Sequence, residues 1–294
     1  MFGERTAMEH TGIIRNELAG GRHAAAWQNL LGLDDQKHKL LAWGALTLRA
    51  AALDRTATAV NRLAVVQGPP GTGKTTLARN LASPLADVCG APIRVIEFAA
   101  HEAMSGEHGR TQREVHRVLT EVVPKLAGSD LTVLVVDEVE SLAVHRGSVS
   151  LEANPVDVHR TTDAVLTALD LLADTSPNVV TVVTTNFPEL VDAALRSRAD
   201  VTISVPLPTA EAIADILRST LAAWAEEFPG LKVLAEDRSL TIIAAELSRS
   251  AIDARQARKF VLDALSSDLA TAADPGSLTS AALAAAAQAR RSVR

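Results

Sequence analysis

Leu63–Leu77 reads LAVVQGPPGTGKTTL. Leu63 to Gln67 is short, apolar and β-branched, the composition of a buried strand. The next six residues, Gly68, Pro69, Pro70, Gly71, Thr72 and Gly73, cannot continue a strand and expose their backbone N–H groups. Lys74, Thr75, Thr76 and Leu77 then open a helix. Strand, glycine-rich loop and helix with the spacing G-x-x-x-x-G-K-[ST] form the phosphate-binding loop of nucleotide hydrolases. The chemistry explains the residue types. Glycines let the backbone approach phosphate oxygens, and the loop N–H groups and the helix N-terminus meet negative charge. Lys74 neutralises the outer phosphates and Thr75 offers its hydroxyl to Mg²⁺. Gly68 to Thr76 is therefore the candidate contact with the phosphates of a nucleotide.

The bulk properties bound the rest. The chain of 294 residues can bury a large core and hold one to two domains. Hydrophobic residues make up 47% and charged residues 22%, a globular composition. A net charge of −6 argues against a dedicated nucleic-acid surface, which needs a basic face. Cys89 is the only cysteine, which excludes a disulfide framework and cysteine-based zinc sites and reads as a small buried hydrophobe. No stretch approaches the length of a membrane span and no signal-peptide core opens the chain, so a cytoplasmic protein is expected.

Upstream of the loop, Ile13 to Leu18 reads as a short helical piece, separated by Gly20-Gly21 from an alanine-rich run. Trp27 to Gln36 reads as an apolar loop and then a helix capped by Asp34 or Asp35. Such a loop can set Gly32 and Leu33 against an adenine; helix capping and core packing explain the same residues equally well. Ile93 to Phe98 is a second strand. A helix with Val115, Val118, Leu119, Val122 and Val123 on its apolar face is expected to end at Pro124.

Asp130 to Val136 is a fully apolar strand ending at Asp137-Glu138. It delivers two carboxylates to the carboxyl edge of a parallel sheet, where open α/β folds bind ligands. Asp137 can hold Mg²⁺ through water, and Glu138 can deprotonate an attacking water, a role worth about 10²–10⁴-fold in rate. Glu140 to Arg160 reads as a loop-rich excursion, and Thr162 to Leu172 as an amphipathic helix. Asn178 to Thr185 is another buried strand, and Asn186 at its end either reaches the γ-phosphate side of the site or caps the strand. In the short helix from Pro188 to Ala199, Arg196 stands four residues after Asp192, the spacing of an ion pair, whereas Arg198 has no such partner. A last strand, Val201 to Val205, closes the α/β part. From Thr209 onward the pattern is helical, with Asp253 as an N-cap and Arg255 and Arg258 in a helix start, where cations oppose the helix dipole.

Together, Gly68–Thr75, Val133–Glu138, Thr185-Asn186 and Arg196–Asp200, followed by a helical tail, resemble an AAA+ ATPase over roughly residues 27 to 294. Asp137–Leu142, Arg160–Asp170, Thr184–Phe187 and Ser197–Asp200 are more narrowly similar to the pachytene-checkpoint branch, the remodellers of HORMA-domain proteins. The resemblance implies an α/β P-loop fold with a three-layer core, a parallel five-stranded sheet and a small all-helical lid. Residues 1–26 would be an N-terminal extension, 27–206 the nucleotide-binding domain and 207–294 the lid. It implies Walker A roles for Lys74 and Thr75, Walker B roles for Asp137 and Glu138, sensor 1 for Asn186 and sensor 2 for Arg255. Arg198 would be the finger reaching a neighbour's nucleotide, which requires a ring, and a homohexamer is implied. The compact chain resembles bacterial members of cyclic-oligonucleotide anti-phage systems, whose client is a HORMA protein that activates a cyclic-nucleotide synthase. The loop His101–Gly109 lacks the aromatic with which many such rings grip peptide, leaving Met104 and His108 as the candidates there. A DNA-directed AAA+ ATPase, a loader or transposition helper, is the alternative, and the acidic balance opposes it.

Overall fold

The computed structural model describes residues 14–53, 58–99, 110–142 and 155–292. These fold as two compact units. In its described part the first takes residues 14–28, 35–53, 58–68, 74–99, 110–142 and 155–205, and the second takes 29–34, 69–73 and 206–292.

The first unit is built on one six-stranded sheet. Its strands are β1 (Ile14–Leu18), β2 (Leu63–Gln67), β3 (Ile93–Ala99), β4 (Leu131–Asp137), β5 (Val179–Thr185) and β6 (Val201–Ser204), in the spatial order β1-β3-β4-β5-β2-β6. The five strands from β3 to β6 in that order pair in parallel, as the sequence predicts. Apolar runs at β2, β4 and β5 are buried almost throughout, which parallel strands covered on both faces require. One face packs Ile96, Phe98, Leu134 and Val183 against Val115, Leu119, Val165 and Leu172 of the helices that follow β3 and β4.

Several local expectations are corrected. Ile14–Leu18 is not helical; it is a sixth strand, antiparallel to β3, with Ile14 opposite Phe98 and Leu18 opposite Arg94. Five residues carry too little pattern to decide between helix and strand, and the open edge of β3 supplies the hydrogen bonds that settle it. Pro124 does not end its helix. The segment Arg110–Arg117 widens into a π-helical stretch, Val118–Val122, and Pro124 then opens a further turn, Val123–Ala127, at a position needing no N–H. The helix after β4 starts earlier than its apolar pattern, at Pro155, and runs to Thr175. Cys89 is only partly buried. Met104 and His108 lie outside the described residues.

The second unit is helical. Its main helices are Ala210–Ala225, Ser239–Arg249, Ala254–Leu265 and Ser280–Ser292, with short turns at Leu231–Ala235 and Leu269–Ala273. Leu217, Leu221, Leu240, Leu247, Phe260 and Leu283 form its core. Asp253 caps its helix as expected. Its carboxylate accepts from Gln256 N at 2.8 Å, and Gln256 Oε1 accepts from Asp253 N at 3.2 Å, a full capping box.

Phe260→Ala is expected to destabilise the helical unit by about 3–5 kcal/mol, because a fully buried ring leaves a cavity. Ile242→Ala, on a side chain 75% exposed, should stay within about 0.5 kcal/mol of the parent. Chemical denaturation followed by circular dichroism checks both.

Candidate functional site

In the first unit, adjacency of β4, β5 and β2 brings three chain segments to one sheet edge. Val136 lies opposite Val183, and Gln67 opposite Thr185, so the residues just past each strand emerge side by side. Gly68 follows β2 with φ +148, and a Cβ there would overlap the Val205 carbonyl oxygen. Only glycine takes the loop through this gap.

Lys74, at the start of the helix Lys74–Asn80, is 5% exposed. A buried ammonium requires strong acceptors, and Nζ donates to Asn186 Oδ1 at 2.7 Å. The Asn186 amide donates in turn to Glu138 Oε1 at 3.3 Å. Asn186 thus stands between the lysine and the carboxylate, a more specific placement than a strand cap.

Beside this chain of contacts, Thr75 Oγ1 donates to Asp137 Oδ1 at 2.7 Å, and the Thr184 hydroxyl donates to the same oxygen. Thr184 also accepts the Glu138 backbone N–H at 3.2 Å. A hydroxyl and a carboxylate in contact are the hard oxygen donors that suit Mg²⁺, which completes its shell with waters and phosphate oxygens. The donor set at Thr75 and Asp137 therefore fits that ion. Among the described residues no group of three or more His, Cys, Asp and Glu side chains is gathered as a metal site. Close by, the Arg79 guanidinium pairs with Glu97. Its pKa is lowered, first by partial burial and then by Arg15, while Glu17 and Asp137 oppose the shift.

Glu138 has φ 55 and ψ 53, the left-handed region. For a residue with a side chain this costs about 1–2 kcal/mol, and such strain concentrates at functional sites. The turn it makes, Val139–Ser141, is held by Ser141 N and Ser141 Oγ donating to Glu138 O at 3.0 and 2.8 Å.

The second unit contains the remaining candidates. Its share of the loop, Pro69–Gly73, keeps a Thr72 Oγ1 to Pro69 O bond of 2.9 Å. Gly71 has φ +74 and lies against the Asp253 carboxylate, where a Cβ would collide with it. Gly71 O accepts from Arg255 N at 3.2 Å, so the capping turn at Asp253 is also the turn that meets the loop. The Arg255 side chain is exposed. Leu33 is 6% exposed, with Leu30 and Leu33 beside Gly73. Arg258 donates to Asn29 O at 2.7 Å, which accounts for a cation in an unfavourable helix position.

One reading of the arginines after β5 is corrected. Arg196 does not pair with Asp192. Asp192 caps the helix Ala193–Arg198 by accepting from Ala194 N, and Arg196 donates to Pro188 O at 2.9 Å. Arg198, without a partner at helix spacing, finds one farther along the chain. Its Nε donates to Asp170 Oδ2 at 3.1 Å, with both side chains about one-third exposed. Nothing in a separation of 28 residues announces that pair. Thr184 stood in the sequence only as part of the stretch Thr184–Phe187, with no role of its own, although it directly precedes Thr185-Asn186 at the end of β5 and so shares their edge.

The family of ATPases associated with various cellular activities (AAA) matches residues 64–207. CD-NTase-associated protein 6 of Pseudomonas aeruginosa is 41% identical over 228 residues, covering 77% of this chain and 74% of the relative. The pachytene checkpoint protein 2 homolog of Oryza sativa is 34% identical over 207 residues, 66% of this chain, and the match spans 42% of that longer relative. Among solved structures, C. elegans PCH-2 aligns with a TM-score of 0.72 at 20% identity, over 95% of this chain and 76% of that one. A chain of an E. coli HORMA:CdnC:Trip13 complex aligns with a TM-score of 0.61 at 19% identity, over 84% of this chain and 93% of that one. The last two establish likeness of fold, and the sequence matches establish kinship. The chain belongs to the AAA family of ATPases, in the branch that holds the pachytene checkpoint protein 2 homologues and CD-NTase-associated protein 6.

Proposed function

We propose that the protein is an ATP-driven remodeller that opens or disassembles a HORMA-domain client complex, and so shuts off a bacterial cyclic-nucleotide synthase in anti-phage signalling. The observation that carries the ATPase half is the contact chain Lys74–Asn186–Glu138 beside Thr75–Asp137–Thr184. The client half rests on kinship: a bacterial relative is named for association with a CD-NTase, and a structure of like fold is described as a complex with HORMA and CdnC.

In this reading the Gly68–Thr76 backbone receives the phosphates, and Lys74, while still donating to Asn186, offers its remaining N–H donors to the outer phosphate oxygens. Thr75 and Asp137 hold Mg²⁺, which when bound neutralises charge on the β- and γ-phosphates. Thr184 fixes the Asp137 carboxylate by its hydrogen bond. Glu138 takes the proton of the attacking water, and Asn186 orients that water. Leu33 and Arg255 act in adenine and phosphate contact. Residues 27–206 serve as the nucleotide-binding domain, 207–294 as the lid, and 1–26 as an extension. The ring is a cytoplasmic homohexamer in which Arg198 leaves Asp170 to reach a neighbour's nucleotide.

Glu138→Gln should keep ATP binding and lose hydrolysis by about 10²-fold or more, trapping the client on the assembled ring. Steady-state phosphate release and pull-down with ATP read this out, and wild-type turnover in the variant would remove Glu138 as the base. Lys74→Ala should instead weaken binding of a fluorescent ATP analogue. Arg198→Ala should lower turnover by about 10³-fold or more. Mixing Arg198→Ala with Glu138→Gln should restore part of it, since the second protein lends its arginine to the first protein's intact site. No recovery on mixing would count against a finger acting between subunits.

A further inference from the structure

The motif Asp137–Leu142 contains a second glutamate that the proposed chemistry leaves without a role. Glu140 lies on the tight turn after β4, and the left-handed backbone of Glu138 bends that turn back toward β5. There Glu140 Oε1 accepts the backbone N–H of Asn186 at 3.0 Å. Its other oxygen, Oε2, is buried and has no hydrogen-bond partner among the described residues. A half-buried carboxylate that keeps one oxygen out of water for a single hydrogen bond is a poor stabilising device, because the unsatisfied oxygen offsets what the bond returns. The arrangement makes more sense as positioning.

We propose that Glu140 is a positioning residue for hydrolysis, pinning the backbone of Asn186 so that its amide stays between Lys74 and Glu138. The claim rests on the ATPase reading above. Asn186 follows directly on β5, where the sheet's own hydrogen bonds end. Its side-chain oxygen accepts from Lys74 Nζ at 2.7 Å and its nitrogen donates to Glu138 Oε1 at 3.3 Å. One amide thus faces two groups with opposite demands. A peptide rotation at residue 186 would break both contacts together. Glu138 N to Thr184 Oγ1 and Asn186 N to Glu140 Oε1 stitch the two loops at either side of that amide. The first bond sets the base and the second sets the residue that orients the water. Phe187 N, donating to Thr185 Oγ1 at 3.0 Å, closes the next turn but leaves residue 186 itself to Glu140.

Such a residue acts on the transition state more than on substrate binding. The test is the steady-state ATPase of the full-length protein with Mg²⁺ and ATP, alongside titration with a fluorescent ATP analogue. Glu140→Ala should lower kcat roughly 10- to 100-fold, the equivalent of one charge-assisted hydrogen bond, with nucleotide Kd changed less than about threefold. Glu140→Gln keeps an oxygen acceptor in the same place and should restore kcat to within about threefold of wild type. Glu140→Asp keeps the charge but withdraws the acceptor by one methylene, and should behave like Glu140→Ala; it replaces that variant if the alanine protein lacks a cooperative thermal transition. Wild-type kcat in the alanine or aspartate protein would overturn the proposal, as would a parallel loss of Kd or a glutamine protein as slow as alanine. A wild-type protein that does not hydrolyse ATP would instead overturn the ATPase reading.

Discussion

Parallel pairing of β4, β5 and β2 is the constraint on which the site depends. Each strand is an apolar run that is stable only when covered on both faces, and each therefore ends abruptly where its polar residues begin. Because the strands run the same way and stay in register, those ends coincide. Lys74 and Asn186 lie 112 residues apart, Thr75 and Asp137 62 apart, and Asn186 and Glu138 48 apart, yet each pair meets through one hydrogen bond. A slip of one residue would send every inward side chain to the other face and scatter this edge.

The polar groups at that edge hold one another in place. Asp137 accepts from two hydroxyls, Lys74 is paired although buried, and Asn186 joins the lysine to the glutamate. In a low-dielectric setting such satisfied networks are rigid, and each missing partner is costly. The left-handed Glu138 and the buried Glu140 Oε2, which has no hydrogen-bond partner among the described residues, run against this economy. Both lie within one short turn, which is where a hydrolytic site would be expected to store strain.

The helical unit shows a related economy. Asp253 closes a capping box, lies against Gly71, and precedes Arg255, whose N–H reaches the same glycine's carbonyl. One turn therefore caps a helix and shapes the loop residues that belong to this unit. A side chain at position 71 would face both the collision with Asp253 and an unfavourable φ, so glycine is required there by two independent causes.

The sequence by itself determined the phosphate loop, the buried parallel strands, the Asp137-Glu138 pair at a strand end and the Asp253 cap. These features are local: spacing, β-branching and capping chemistry act over a few residues and read the same in any context. The tertiary structure decided what depends on distant partners. Ile14–Leu18 became a strand because β3 had an open edge. Pro124 continued a helical run because a π-helical stretch absorbed the change of register. Arg198 found Asp170, Asn186 became a bridge and Glu140 turned onto its backbone. No local pattern encodes such pairings, because their energy comes from groups that only folding brings within hydrogen-bond reach.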